Sequence, residues 1–209
     1  MNTTTQKNEL IFGYSSGNLG EAKSLFTSMY LYLNSLASRK ASIFDNILAQ
    51  NLDELEGVKL NKLKFSDCIK STQLTDKKVK SNLNPLSSVV GDLNNINWKS
   101  VYKGFKEFSI PIKDNDSVKL IKMDPGTSVP LHSHSGKEYI LVLDGSFHDE
   151  NGEYNKGDMQ INDQKIKHHP VASNSDGCIC LSITENDVIF FGKFGPLLNL
   201  FTFIKSFFK

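Results

Sequence analysis

The sequence predicts an α+β protein: a small N-terminal helical bundle, then an antiparallel β-barrel or sandwich, then a C-terminal helix. Three observations lead there. Glu9 to about Asn51 reads as helical, with apolar residues from Leu25 onward recurring three and four apart as one helix face requires. After Trp98 the chain turns to short runs of β-branched and aromatic residues separated by turn signals. The last fourteen residues, Pro196 to Lys209, are again dense in Leu and Phe. This places a helical domain with its linker at residues 1–90 and a β domain with its terminal helix at residues 91–209.

In the first part, Leu25, Phe26, Met29, Leu33, Leu36 and Ala37 outline one helix face. Gly17 and Gly20 break the preceding turn, and Asn18 is placed to cap the helix that begins after them. A second set, Ile43, Phe44, Ile47, Leu48 and Leu52, predicts another helix packed on the last. So few helices bury little surface, and the bundle is expected to have little stability alone. From Leu55 to Asn95 the composition becomes rich in Lys, Asn and Ser. A weak fourth helix around Leu60, Leu63 and Phe65 is expected there, then a linker containing Pro85 and Gly91.

In the β part, the expected strands are Val118–Met123, Tyr139–Leu143, Ser146–Asp149, Met159–Ile161, Cys178–Thr184 and Val188–Phe191. Asp124-Pro125-Gly126 is a turn, and Asn151-Gly152 reads as the centre of a tight hairpin. The apolar tail suits an interfacial membrane helix or a helix buried against the sheet or a dimer partner. Its few cations and apolar residues nearly all round favour burial.

Composition restricts function. The 209 residues carry 24 basic and 23 acidic side chains, a net charge of +1. Such a chain has no broad field to attract nucleic acid, and Arg39 is its only arginine, so direct DNA reading is disfavoured. Cys68, Cys178 and Cys180 cannot form a disulfide framework, and their odd number fits a reducing compartment. Met1 to Asn8 is polar, so no signal peptide is expected. No apolar run reaches the roughly 18 residues of a membrane span. The expected location is cytoplasmic.

All five histidines lie at or after His132. His132 and His134 are two apart, so an extended segment presents both imidazoles to one side. Glu138 comes after a Gly-containing turn and opens a strand, and His168 is expected to close the group from across the barrel. Three imidazoles and a carboxylate suit zinc, iron, manganese or nickel, with room for water. His169 neighbours His168 and should face the other way. His148 lines the barrel or meets solvent, with solvent favoured. Cys178 and Cys180 share a strand face and have either a redox or a packing role, packing being favoured.

These residues resemble a known family. Gly126, His132, His134, Glu138 and Gly145 reproduce the spacing of the first cupin motif. Gly157 and His168 are similar to the second, with Asp163 and Lys165 at its proline and second glycine. Leu141 to Glu150, Gly157-Asp158, His168-His169-Pro170-Val171 and Cys178-Ile179-Cys180-Leu181 resemble the cupin half of ChrR-type anti-sigma factors. Those are cytoplasmic bacterial regulators that hold an extracytoplasmic-function sigma factor inactive until a stress such as singlet oxygen releases it.

The resemblance implies a jelly-roll barrel and one divalent metal per chain, zinc being the family's metal. Its ligands would be His132, His134, Glu138 and His168. It also implies a sigma-factor partner for the N-terminal helices, opened by Tyr14 to Ala22. The family's helical domain carries a zinc-binding His-x-x-x-Cys-x-x-Cys. Here the aligned positions are Tyr30, Asn34 and Ala37, and packing by Met29, Tyr30 and Leu33 is expected to replace that zinc. Two other classes of function fit the same barrel: an Fe(II)-dependent dioxygenase, for which no general base stands out beyond His148, and a dimeric small-ligand module.

Overall fold

The computed structural model describes residues 3–53, 84–193, 195–197 and 199. The predicted fourth helix with Leu60, Leu63 and Phe65, Cys68, and nearly all of the predicted C-terminal helix lie outside the described residues. Three helices come first: α1 (Thr3–Ser15), α2 (Glu21–Leu33) and α3 (Ser35–Asp53).

The predicted face from Leu25 to Ala37 is divided between two helices. α2 ends at Asn34, which is extended at φ −123° and ψ 104°. The Asn34 side chain accepts the Ala37 N–H at 3.0 Å and so starts α3 in a new direction. Leu25, Phe26 and Met29 are buried as expected. Leu36, expected beside them, is 68% exposed because the restart turns it outward. α3 buries Ala37 and Ala41 and half-buries Phe44, whose ring meets Phe12 edge-on at 5.5 Å. Ile43 and Ile47 remain exposed.

Asn18 does not cap α2. Its N–H bonds back to the Gly13 carbonyl, and the Ala22 N–H at the start of α2 donates to Asp114 Oδ2 at 3.2 Å instead. A loop of the β half thus caps a helix of the N-terminal half. The end of the expected linker is ordered too. Asn84 accepts the Leu86 N–H, the short helix α4 (Ser87–Val90) comes next, and Leu86 is an anchor only 1% exposed.

The strands are β1 (Lys99–Tyr102), β2 (Phe105–Ser109), β3 (Ser117–Met123), β4 (His132–His134), β5 (Glu138–Asp149), β6 (Gly152–Asn155), β7 (Met159–Asn162), β8 (Val171–Ala172), β9 (Cys178–Thr184) and β10 (Val188–Phe190). Every pairing is antiparallel, with the order β1-β2-β3-β9-β5 through the main sheet. The two strands expected at Tyr139–Leu143 and Ser146–Asp149 are one strand, β5. Its register against β9 shifts between Val142 and Asp144, a bulge that lets one strand bend. The first half of β5 lies between β9 and β7, and its second half between β6 and β8. Gly145, at φ +68°, sits at the bend, where a side chain would collide with the Gly177 carbonyl.

The β5–β6 hairpin is one residue off expectation. Asp149 pairs with Gly152, so Glu150 and Asn151 form the turn. Asp149 Oδ1 accepts the Asn151 N–H at 2.8 Å, which favours this register.

The sheet separates two apolar clusters. One face carries Val118, Leu120, Tyr139, Leu141, Leu181 and Ile183, packed with Leu25, Phe26 and Met29 of α2. The other lines the interior with Ile140, Val142, Phe147, Cys178 and Cys180. β9 serves both faces by strict alternation. Cys178 and Cys180 are free thiols buried in the inner cluster with sulfurs 3.2 Å apart. The neighbouring thiol and burial push the Cys180 pKa well above the usual range, a packing environment rather than one that makes a reactive thiolate.

Glu185, just after β9, ties the halves together. Its carboxylate accepts Lys23 Nζ of α2 at 2.8 Å, the Tyr139 hydroxyl at 3.2 Å and the Lys137 N–H at 3.0 Å. No described helix is long and apolar enough to cross a membrane.

Candidate metal centre

β4 is a three-residue strand pinned from both sides. β10 pairs with it so that His134 faces Val188 and His132 faces Phe190. On the other side His132 and His168 form a reciprocal backbone bridge, N–H to carbonyl at 3.1 and 3.0 Å. His168 therefore joins from the adjacent backbone, not from across the barrel. Ser135, Gly136 and Lys137 then turn the chain into Glu138. A Cβ on Gly136 would lie 2.7 Å from the Asn186 amide, so glycine permits this close approach to the β9–β10 turn.

The four expected residues converge. One donor atom from each of His132, His134, Glu138 and His168 lies within 4.8 Å of the others. Exposures are 4%, 2%, 5% and 0% respectively. Glu138 Oε2 lies 3.0 Å from His134 Nε2 and 3.3 Å from His168 Nε2, and the Nε2 atoms of His132 and His168 are 3.0 Å apart. No other group of three or more such side chains occurs among the described residues.

Two features test the fit of a cation. His132 Nδ1 lies 2.8 Å from the Pro130 carbonyl and must donate to it, which leaves a lone pair on Nε2. His168 Nδ1 lies 3.1 Å from Asp149 Oδ2, with the same consequence. Two lone pairs facing each other at 3.0 Å require a positive charge between them. His134 is buried, and neither of its ring nitrogens has a hydrogen-bond partner. Its Nε2 sits 3.0 Å from Glu138 Oε2 without hydrogen-bond geometry, as a ligand atom beside another ligand would. The donor set fits a divalent metal bound by nitrogen and oxygen at about 2.0–2.2 Å.

Without a metal, the neighbouring carboxylates favour a proton on His168. Burial alone would lower the His168 pKa, but Asp149 and Glu138 outweigh it and raise it to about 9. Burial and the charge of His168 push His132 down to about 4. Burial would raise the Glu138 carboxyl, yet His134 and His168 hold it well below the usual carboxylate range.

The remaining candidates lie elsewhere. His148 is exposed, and His169 is half-buried with its N–H donated to Glu150. Sequence reasoning missed Asp149, Asn162 and the Pro130 carbonyl. Asn162 donates to Glu138 Oε2 at 3.1 Å. The Asp149-Glu150 pair lay within the family-like segment, but nothing in it pointed to a role.

At the aligned positions of the helical zinc site, the residues do not fit a metal. Tyr30 and Ala37 are buried in the apolar cluster shared with Met29, and Leu33 packs against it. Asn34 spends its side-chain oxygen on the α3 cap.

Comparison with known proteins agrees with this architecture. Residues 86–186 match the ChrR Cupin-like domain. The chain is 28% identical over 187 residues to the anti-sigma-E factor ChrR of Cereibacter sphaeroides, covering 84% of this chain and 86% of that protein. It also superposes on the crystal structure of Rhodobacter sphaeroides SigE in complex with the anti-sigma ChrR. There the TM-score is 0.74 and the identity 31%, over 85% of this chain and 96% of the matched chain. An α+β fold with N-terminal helices, a cupin-like antiparallel sheet and similarity along nearly the whole relative leads to one conclusion: the chain belongs to the ChrR-type family of anti-sigma factors.

Proposed function

We propose that this protein is a cytoplasmic anti-sigma regulator. Its N-terminal helices grip an extracytoplasmic-function sigma factor, and its cupin domain binds one zinc and responds to stress. Residues 1–90 form the gripping domain and residues 91–209 the sensing domain, in a chain that can also pair as a homodimer. The observation that carries the reading is that similarity to the ChrR of the SigE complex extends over 96% of that chain. His132, His134, Glu138 and His168 hold the metal in this reading. Bound there, zinc supplies a positive charge that fixes β4, β5 and the His168 segment together.

The geometry supports a route between sensor and grip. Glu138 lies between Lys137 and Tyr139, and both of these bond Glu185, which holds Lys23 of α2. A displacement of Glu138 thus bears on a contact of the helical domain.

Untagged full-length protein is expected to contain about one zinc per chain by elemental analysis. It is also expected to form a stable complex with an extracytoplasmic-function sigma factor co-expressed from its own source. Two metals per chain would contradict the packed Tyr30–Ala37 corner. Failure to retain any such sigma factor would overturn the anti-sigma reading.

Metal binding should also be pH-dependent. The raised His168 pKa means that its proton stabilises the metal-free fold below the unfolded value of 6.5, and this stabilisation is lost as pH rises through about 9. Zinc competes with that proton, so its affinity should rise with pH across the same window. Calorimetry near pH 7 in buffers of different ionisation enthalpy should read about one proton released per zinc. No release would contradict the protonated His168.

A further inference from the structure

The three imidazoles are supported unequally. His134 Nδ1 has no hydrogen-bond partner, and His132 Nδ1 donates to a neutral carbonyl. His168 Nδ1 meets a carboxylate, Asp149, whose side chain is fully buried. Asp149 is itself held from several directions. Its Oδ2 also accepts Gln160 Nε2 at 2.7 Å, and its Oδ1 accepts the Asn151 N–H at 2.8 Å. Gln160 is in turn steadied by the Tyr154 hydroxyl at 3.0 Å. Asp149 and Glu138 stand at opposite ends of β5, and the bulge and bend between them bring both carboxylates to one histidine.

We propose that Asp149 is the positioning residue of the metal centre. Its carboxylate fixes the His168 proton on Nδ1, orients the ring, and supplies the second negative charge that a buried divalent cation needs. The inference rests on the metal reading above. Glu138 alone leaves a divalent ion with one uncompensated charge in a buried site, and burying a net charge is costly. A carboxylate behind a ligating imidazole removes that excess without occupying a coordination position, and it strengthens the imidazole as a donor. Asp149 does not touch the metal, so the number of metals bound does not depend on it. The affinity and the electronic environment do.

The test uses untagged full-length protein and its D149N, D149E and H148A variants. Zinc affinity is read by competition with a chromophoric chelator, the ligand field by the visible spectrum of the cobalt(II) form, and folding by the melting of the metal-free protein. D149N should bind one zinc about 10–100-fold more weakly, with a shifted cobalt spectrum. D149E should recover part of the affinity, and H148A, altered only at an exposed neighbour, should match the wild type. D149N with wild-type affinity and spectrum overturns the inference, even where its melting temperature falls, since that is a structural role alone. If D149N does not fold, D149E decides: wild-type affinity and spectrum despite the displaced carboxylate overturn the inference. A wild type that takes up neither metal overturns the metal reading itself, and this inference with it.

Discussion

Replacing His132 or His134 with alanine should reduce the metal content from about one per chain to near zero. Both donors come from one short strand, and no other histidine, cysteine or acidic group among the described residues joins the cluster to substitute. Loss of a supporting contact around a metal costs about 10–100-fold in affinity, and loss of a direct ligand from a four-residue set should cost more. His134 is the sharper test, because its buried Nδ1 has no hydrogen-bond partner and its Nε2 faces Glu138 within the cluster. Elemental analysis of each variant, purified without a histidine tag, reads the result. Unchanged stoichiometry in both would end the metal reading.

The second large effect concerns the joint between the two halves. Phe26 is fully buried, and its ring meets Tyr139 of the sheet at 6.0 Å. Phe26→Ala should cost about 3–5 kcal/mol, the range for emptying a buried aromatic site. For a chain of this size that lowers Tm by roughly 6–20 °C, at about 2–4 °C per kcal/mol. Because Phe26 packs in one cluster with Leu181 and Ile183, thermal unfolding monitored at the barrel should shift along with that monitored at the helices. A barrel transition that stays at the wild-type temperature while the helical signal falls would show that the two halves melt independently.

Much of this architecture was legible in the sequence. Helical periodicity marked α2, the turn signals and β-branched runs marked most of the strands, and His-x-His with a later Glu marked three of the four converging residues, His168 coming from a separate strand-like segment. The failures share a physical cause: each lies where a local irregularity resets a period. Asn34 restarts the helix and turns Leu36 outward. The β5 bulge reverses the parity of the strand. Ile140 and Val142 face the interior before it, and Phe147 does after it. Simple alternation from Glu138 therefore puts Asp149 on the wrong face, which hides its approach to His168. The cap that Asp114 gives to α2 was equally invisible, since it joins residues far apart in sequence.

The shared apolar cluster also sets an order of events during synthesis. α2 is translated early, but the sheet residues it packs against, from Val118 to Ile183, are made much later. At about 5–20 residues per second, that interval lasts on the order of ten seconds. Throughout it, Phe26 and Met29 have no sheet to cover them. The nascent helices thus spend that interval with an apolar face uncovered that the finished molecule keeps closed.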